Sequence, residues 1–380
     1  MATSPGNAYV WQLPTWPAWT YDTQALADAL ARARLQQGRV LGKAQAVGLA
    51  ADAFAQVVND IWVGEVVATA AIEGQQLDVE QVRSSVMRML GIASAGQSSR
   101  HIDGLVDVMQ DALHNYTVAL DADRLCRWQS ALFPGGTSGI QHIEVGKFRS
   151  FSDAMQIVSG RPGHEQVHYL APDSRRVPAE MARFLAWFNA SGGEDGIVRA
   201  AIAHLWFEAI HPFEDGNGRI GRAIMDMAIA QDARSGTRIY CMSHQLEQNR
   251  KAYYAALNAA QRGDGDVTAW VRWFADQFSE ACVKSEAVID RALEKARFWA
   301  AHAAHRFNER QCKALRKLLD AGDGGFLGGL TAEKYCKITG TSKASATRDL
   351  GDLLGKGALI SRGIGKATKY YVNVPGWRQE

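Results

Sequence analysis

Apolar residues recur at three- and four-residue spacings along most of this chain, the pattern of amphipathic helices. The pattern predicts helices over residues 22–36 and 46–73, and Gly74 is placed to end the second in a left-handed cap. Asp78 can N-cap the next helix, which runs to about residue 90. After a small-residue loop at 91–99, helices are expected at 102–120 and 122–132, the latter broken by Pro134-Gly135-Gly136. Further helices fit residues 178–190, 197–210, 219–232, 243–261 and 266–306.

Two stretches depart from the helical period. Over residues 155–169, Met155, Gln156, Ile157 and Val158 alternate weakly. Turn residues 159–163 follow, and Val167, His168 and Tyr169 can return as a second strand. This reads as a β-hairpin in helical surroundings. The first twenty residues carry Trp11, Trp16 and Trp19 among Pro14 and Pro17, so an extended arm is expected, its indoles covering the protein's own helices.

The tail has its own rhythm. Helices are expected at 310–321, 331–338 and 342–355, the last capped by Ser342, with strands at 358–361 and 370–374. That is the order of a winged helix-turn-helix. Charge sets this segment apart. Residues 305–380 hold 14 Lys and Arg against 7 Asp and Glu, although the whole chain is only +2. An anionic partner such as DNA suits the surplus. A protein-interaction or homodimer role stays open, because the third helix also carries Asp349 and Asp352 beside Lys343 and Arg348. Lys366 and Lys369 fall on the wing.

At 380 residues, 47% hydrophobic and 22% charged, the chain is expected to form two or three folded domains. Five scattered cysteines without a CxxC pair read as reduced thiols of a cytoplasmic protein. No signal segment or membrane-spanning run is expected.

The chemistry concentrates in residues 211–222, His-Pro-Phe-Glu-Asp-Gly-Asn-Gly-Arg-Ile-Gly-Arg. Gly216-Asn217-Gly218 precedes a helix start, where backbone N–H groups and the helix dipole favour an anion and Asn217 tolerates a left-handed backbone. Arg219 and Arg222, three apart, can lean over the same mouth. Asp215 can hold Mg²⁺, which takes one or two carboxylates plus phosphate oxygens. His211 can accept a proton from a hydroxyl. No HExxH or Cys/His cluster points to zinc, and no GxxxxGK[ST] loop points to a P-loop NTPase.

This run resembles the signature of the Fic family at every fixed position. The resemblance extends over roughly residues 100–275, including Gly146-Lys147-Phe148-Arg149 and Tyr253-Tyr254. It implies a Fic-type helical bundle that transfers AMP from ATP, with Mg²⁺, to a Ser, Thr or Tyr hydroxyl of a target protein or of the enzyme itself. His211 would be the base and Phe213 a buried anchor. Asp215 would hold the metal, and Gly216, Asn217 and Gly218 would cradle phosphate. Arg219 and Arg222 would reach the β- and γ-phosphates, with Tyr254 and Gln261 in the adenine pocket. The hairpin residues Met155, Gln156, Ile157, Val158, Val167 and His168 would form a flap that aligns the target by strand addition.

A second family pattern occurs at residues 69–74, Thr-Ala-Ala-Ile-Glu-Gly. Glu73 sits in a last helical turn, where a carboxylate opposes the dipole by roughly 0.3–1 kcal/mol, so a cationic partner is expected. The resemblance implies an inhibitory helix at about 56–74, in which Glu73 pairs with Arg222, with Thr69 on the same face and Gly74 as the cap. The expected domains are thus 1–100, 101–304 and 305–380. Removal of AMP, transfer of another nucleotide, and a DNA-binding regulator with a nucleotide-sensing body stay open as alternatives.

Overall fold

The computed structural model describes residues 9–47, 51–92, 96–151, 154–159, 166–190, 193–323, 326 and 328–377. Among these the architecture is mainly α. The helices are α1 (Thr23–Val47), α2 (Ala51–Ile72), α3 (Val79–Met89), α4 (Arg100–His114), α5 (Ala122–Leu132), α6 (Val177–Asn189) and α7 (Gly196–Ile210). They continue with α8 (Asn217–Ala233), α9 (Met242–Gln248), α10 (Arg250–Gln261), α11 (Thr268–Ala301), α12 (Glu309–Ala321), α13 (Ala332–Thr339) and α14 (Lys343–Gly355). The strands pair as three antiparallel hairpins: β1 (Thr137–Ser138) with β2 (Gln141–His142), β3 (Gln156–Ser159) with β4 (Gln166–Leu170), and β5 (Leu359–Arg362) with β6 (Lys369–Val372). No described helix is long and apolar enough to cross a membrane.

The chain divides into two compact units, Val58–Glu286 with Met1–Gln45, and Ala287–Glu380 with Ala46–Val57. This division differs from the expected boundaries at 100 and 304, because the amino-terminal helices share the first unit's core. Helix α7 is mostly apolar and almost wholly buried, as a central helix must be, with His204 and Glu208 among its buried residues. Helix α8 lies close against it. A Cβ at Gly221 would come within 2.8 Å of Glu208 Oε1 and 3.1 Å of His204, so glycine lets the two helices approach closely there. The aromatic arm folds onto this unit as expected. Trp16 is buried, donates to Glu180 at 2.8 Å and meets Trp206, while Trp11 donates to the Leu170 carbonyl.

The second unit has its own core, including Leu315, Leu319, Tyr335, Ala346, Leu350, Leu353 and Val372. The order is three helices and then the β5–β6 hairpin, with Ser342 capping α14 through the Ser345 N–H. The Lys366 side chain and hairpin residues 160–165 lie outside the described residues.

Several elements depart from the periodicity. Helix α1 continues to Val47, because burial of Val40 and Ala44 outweighs the weak propensity of Gly38 and Gly42. The stretch 102–120 stops at His114, where the buried Arg124 guanidinium takes up the carbonyls of Asp111, Asn115 and Val118. Residues 243–261 form two helices. Asn249 breaks them by turning its side chain onto the Gln245 carbonyl in competition with the backbone. The small β1–β2 hairpin was not legible in the pattern.

Candidate active site

The residues 211–222 leave α7 and enter α8 through two left-handed positions, His211 (φ +50°) and Gly216 (φ +92°). Gly216 takes the left-handed position that Asn217 could also have tolerated, and Asn217 is the first residue of α8. Its side chain bonds the loop at both ends: Oδ1 accepts from the Phe213 N–H at 2.9 Å and Nδ2 donates to the Phe213 carbonyl at 2.8 Å. Asn217 therefore ties the loop shut, and its backbone N–H stands at the start of α8. Phe213 is buried against Phe148 and Phe207, as an anchor should be.

Arg149 holds the other side of the loop. Its backbone N–H donates to Pro212, and its guanidinium donates to the carbonyls of His211 (2.8 Å), Pro172 (2.5 Å) and Ile210 (3.3 Å). Burial pulls this guanidinium down to about 10. The sequence drew attention to Arg149 only as part of a resemblance. Its role depends on carbonyls freed at the end of α7, which no local pattern shows.

His211 Nδ1 lies 3.5 Å from Glu208 Oε2, one turn back on α7. Burial opposes the Glu208 charge, but the contact with His211 and the charges of His211, His204 and Arg222 outweigh it and hold the carboxyl below its usual value. Glu208 was missed. The available signal was a lone acid in the apolar run Leu-Trp-Phe-Glu-Ala-Ile. Ser138 was also missed; its hydroxyl donates to Asp215 Oδ2 from the unforeseen β1–β2 hairpin.

Glu73 and Arg222 meet as expected. Arg222 donates to Glu73 Oε1 at 2.8 Å, to Thr69 Oγ1 at 2.8 Å and to the Thr69 carbonyl at 2.9 Å. Burial alone would lower the guanidinium, and the Glu73 charge reverses that and raises it. Gly74 is left-handed (φ +77°), ending α2 beneath this contact. A Cβ on Gly218 would lie 2.2 Å from Glu73 Oε1, so the carboxylate sits directly on the glycine loop.

A cavity of about 760 Å³ opens here. His211, Asp215, Asn217, Gly218 and Arg222 line it together with Glu73, Glu208 and Glu214. Met155, Gln156 and Ile157 form another wall with Tyr169, and Tyr254, Gln261, Arg250 and Lys251 a further one. Not every expected residue reaches it. Gly216, Val167 and Arg219 are not in the wall. Arg219 packs over the Phe133 ring at 4.9 Å, 3.6 Å from Asp215 and 3.3 Å from Gln75. The side chains of Val158 and His168 lie outside the described residues. A bulge between Ile157 and Val158 re-aims β3 against β4.

Such a site can hold an anion at the α8 N-terminus beside a base and a buried cation. Residues 119–229 match the Fic/DOC family, and residues 9–92 match a domain of unknown function, DUF4172. The protein adenylyltransferase fic-1 of Caenorhabditis briggsae is 29% identical over 224 residues, 57% of this chain and 39% of that one. The protein adenylyltransferase Fic of Drosophila ananassae is 36% identical over 139 residues, 36% of this chain and 24% of its own length. The chain thus spans well under half of these relatives. A Fic family protein from Desulfovibrio desulfuricans G20 shares the fold with a TM-score of 0.55 at 20% identity, covering 95% of this chain and 99% of that one. A Fic domain containing signalling protein from Bacteroides thetaiotaomicron VPI-5482 aligns at 0.50 and 16% identity, over 67% and 97%.

Proposed function

We propose, from the match of residues 119–229 to the Fic/DOC family, that this chain moves AMP from ATP to a Ser, Thr or Tyr hydroxyl of a protein, and that Glu73 restrains it. The observation that carries the reading is one cavity wall shared by His211, Gly218 and Arg222. As the acceptor oxygen attacks the α-phosphorus, the imidazole of His211 takes the hydroxyl proton. The bond from the α-phosphorus to the bridging oxygen breaks, and pyrophosphate leaves with the electron pair. The α8 N-terminus and Arg222 offset the charge that develops on the phosphates.

The residues present fit Mg²⁺ that arrives with phosphate. Asp215 offers one carboxylate at the cavity wall, 38% exposed, and no group of three or more His, Cys, Asp or Glu among the described residues could hold a metal ion. Asp215 would hold the ion, which supplies further neutralisation of the leaving group. The flap reading is supported by Met155, Gln156 and Ile157 in the same wall.

With Glu73 on the Gly218 loop and bonded to Arg222, a γ-phosphate cannot take that place, and two anions there would repel. Intact-mass measurement after incubation with Mg²⁺ and a nucleotide panel tests both halves. Glu73→Gly should gain AMP on itself or on added protein faster than wild type. His211→Ala should lose activity by a factor on the order of 10²–10⁴. Equal incorporation by wild type and Glu73→Gly would sink the restraint, and retained transfer in His211→Ala would sink the base. An adduct of different mass would change the donor, and loss of AMP from a modified protein the direction.

A further inference from the structure

Helix α14 carries Lys343, Arg348, Asp349 and Asp352, so its composition alone favours no partner. The fold separates these charges. Asp349 is buried, and its carboxylate accepts from Arg310 at 2.8 Å and from Asn308 and Tyr335 at 3.0 Å. Asp352 accepts from Gln311 and Lys356. Ala346, Leu350 and Leu353 enter the core beside Asp349. Lys343, Ala344, Thr347, Arg348 and Gly351 form one exposed stripe, with the partly exposed Asp352, already paired with Lys356, at its carboxyl-terminal edge.

Gly351 gives independent information. A mid-helix glycine is unfavourable by roughly 0.5–1 kcal/mol relative to alanine. A Cβ there would meet nothing within 4 Å, so the unit's own packing does not require it. It leaves room for a surface laid closely along the stripe. The hairpin adds a second exposed feature: Gly363 (φ +85°) shapes its tip, Ile364 is 92% exposed, and Lys369 stands beside the tip, paired with Arg362.

We propose that this unit binds duplex DNA, with the amino-terminal half of α14 in the major groove and the β5–β6 hairpin against the adjacent backbone. The basic surplus of residues 305–380 complements the phosphates. A B-form major groove about 12 Å wide admits a helix, whereas the groove of an RNA duplex is too deep and narrow. The stripe lacks the aromatic and Met anchors of a protein interface and carries the Lys that such interfaces avoid. Lys343 and Arg348 reach phosphate or guanine edges, and Ala344 and Gly351 allow close approach.

Fluorescence anisotropy of the full chain with random duplexes of about 30 base pairs tests this. Three to four phosphate contacts should give a log affinity against log salt slope of about −3 to −4. Lys343→Ala with Arg348→Ala should weaken binding at least 10-fold and reduce the slope by up to about 2. Arg316→Ala with Lys317→Ala, an equal charge change on exposed positions of α12, should stay within about 2-fold. Gly351→Leu should raise Tm yet weaken binding, which a fold defect cannot do. Lack of binding by the wild type in about 50 mM salt overturns the proposal. So does equal loss in both double variants, or equal affinity for an RNA duplex. If the α14 pair changes the sedimenting mass and leaves DNA binding intact, the stripe is a protein contact and the proposal fails.

Discussion

Arg222 shows how one residue can serve two states. Buried in α8, it needs an anion: Glu73 supplies one, and in the proposed function ATP phosphates would be the rival. The motif made Arg222 legible, but the commitment of its guanidinium to α2 is a long-range contact. Glu208 is the reverse case, invisible as a motif and exposed by distance. An ionised carboxylate near Nδ1 favours the tautomer with the proton on that nitrogen, leaving Nε2 to accept one. In the Glu73→Gly background, Glu208→Gln should lower kcat roughly 10-fold or more with KM for ATP unchanged. Steady-state kinetics checks this, and Glu208→Asp should restore part of the rate. If KM rises and kcat holds, Glu208 only shapes the cavity.

Helices α2 and α8 are joined by more than Glu73 and Arg222. Arg238 lies fully buried, 2.6 Å from Asp226 of α8 and 3.4 Å from Glu65 of α2, over the Trp62 ring. Glu65 also accepts from the Ser243 N–H at the start of α9. Removing one partner from such a set strands buried charge, so Arg238→Met should destabilise by about 3–5 kcal/mol in urea titrations. The clamp leaves the last turn of α2, Thr69 to Gly74, as the part that can give way. Hydrogen exchange should be faster at the Glu73 and Gly74 amides than along residues 61–68. Burial, opposed by Arg238 and reinforced by the Glu65 charge, pushes the Asp226 carboxyl up to about 6. An unfolded Asp titrates near ~3.9, so the folded state holds a proton longer. The resulting stability is full below about pH 4 and lost as pH rises through about 6. Between pH 4.5 and 7 the wild-type urea midpoint should therefore fall relative to that of Asp226→Asn, and parallel midpoints would refute the assignment.

At the scale of the molecule, the second unit's core among the described residues runs from Phe298 to Trp377. Leu350 is 1% exposed within it. Leu350→Ala should cost about 2–5 kcal/mol in that unit while AMP transfer by the Glu73→Gly enzyme stays unchanged, as denaturation followed by intact-mass assay would show.

The sequence by itself determined most helices, the hairpin at 155–169, the 211–222 loop and the charge of the tail. These rest on local rules: periodicity, capping, turn residues and a contiguous motif. Tertiary structure alone decided that Asn217 closes the loop, that Arg219 leaves the cavity wall for Phe133, and that Arg149, Ser138 and Glu208 support the site. It also decided that α14 turns Asp349 inward and Lys343 outward. Those outcomes follow from which buried polar groups find partners, and the partners come from distant parts of the chain.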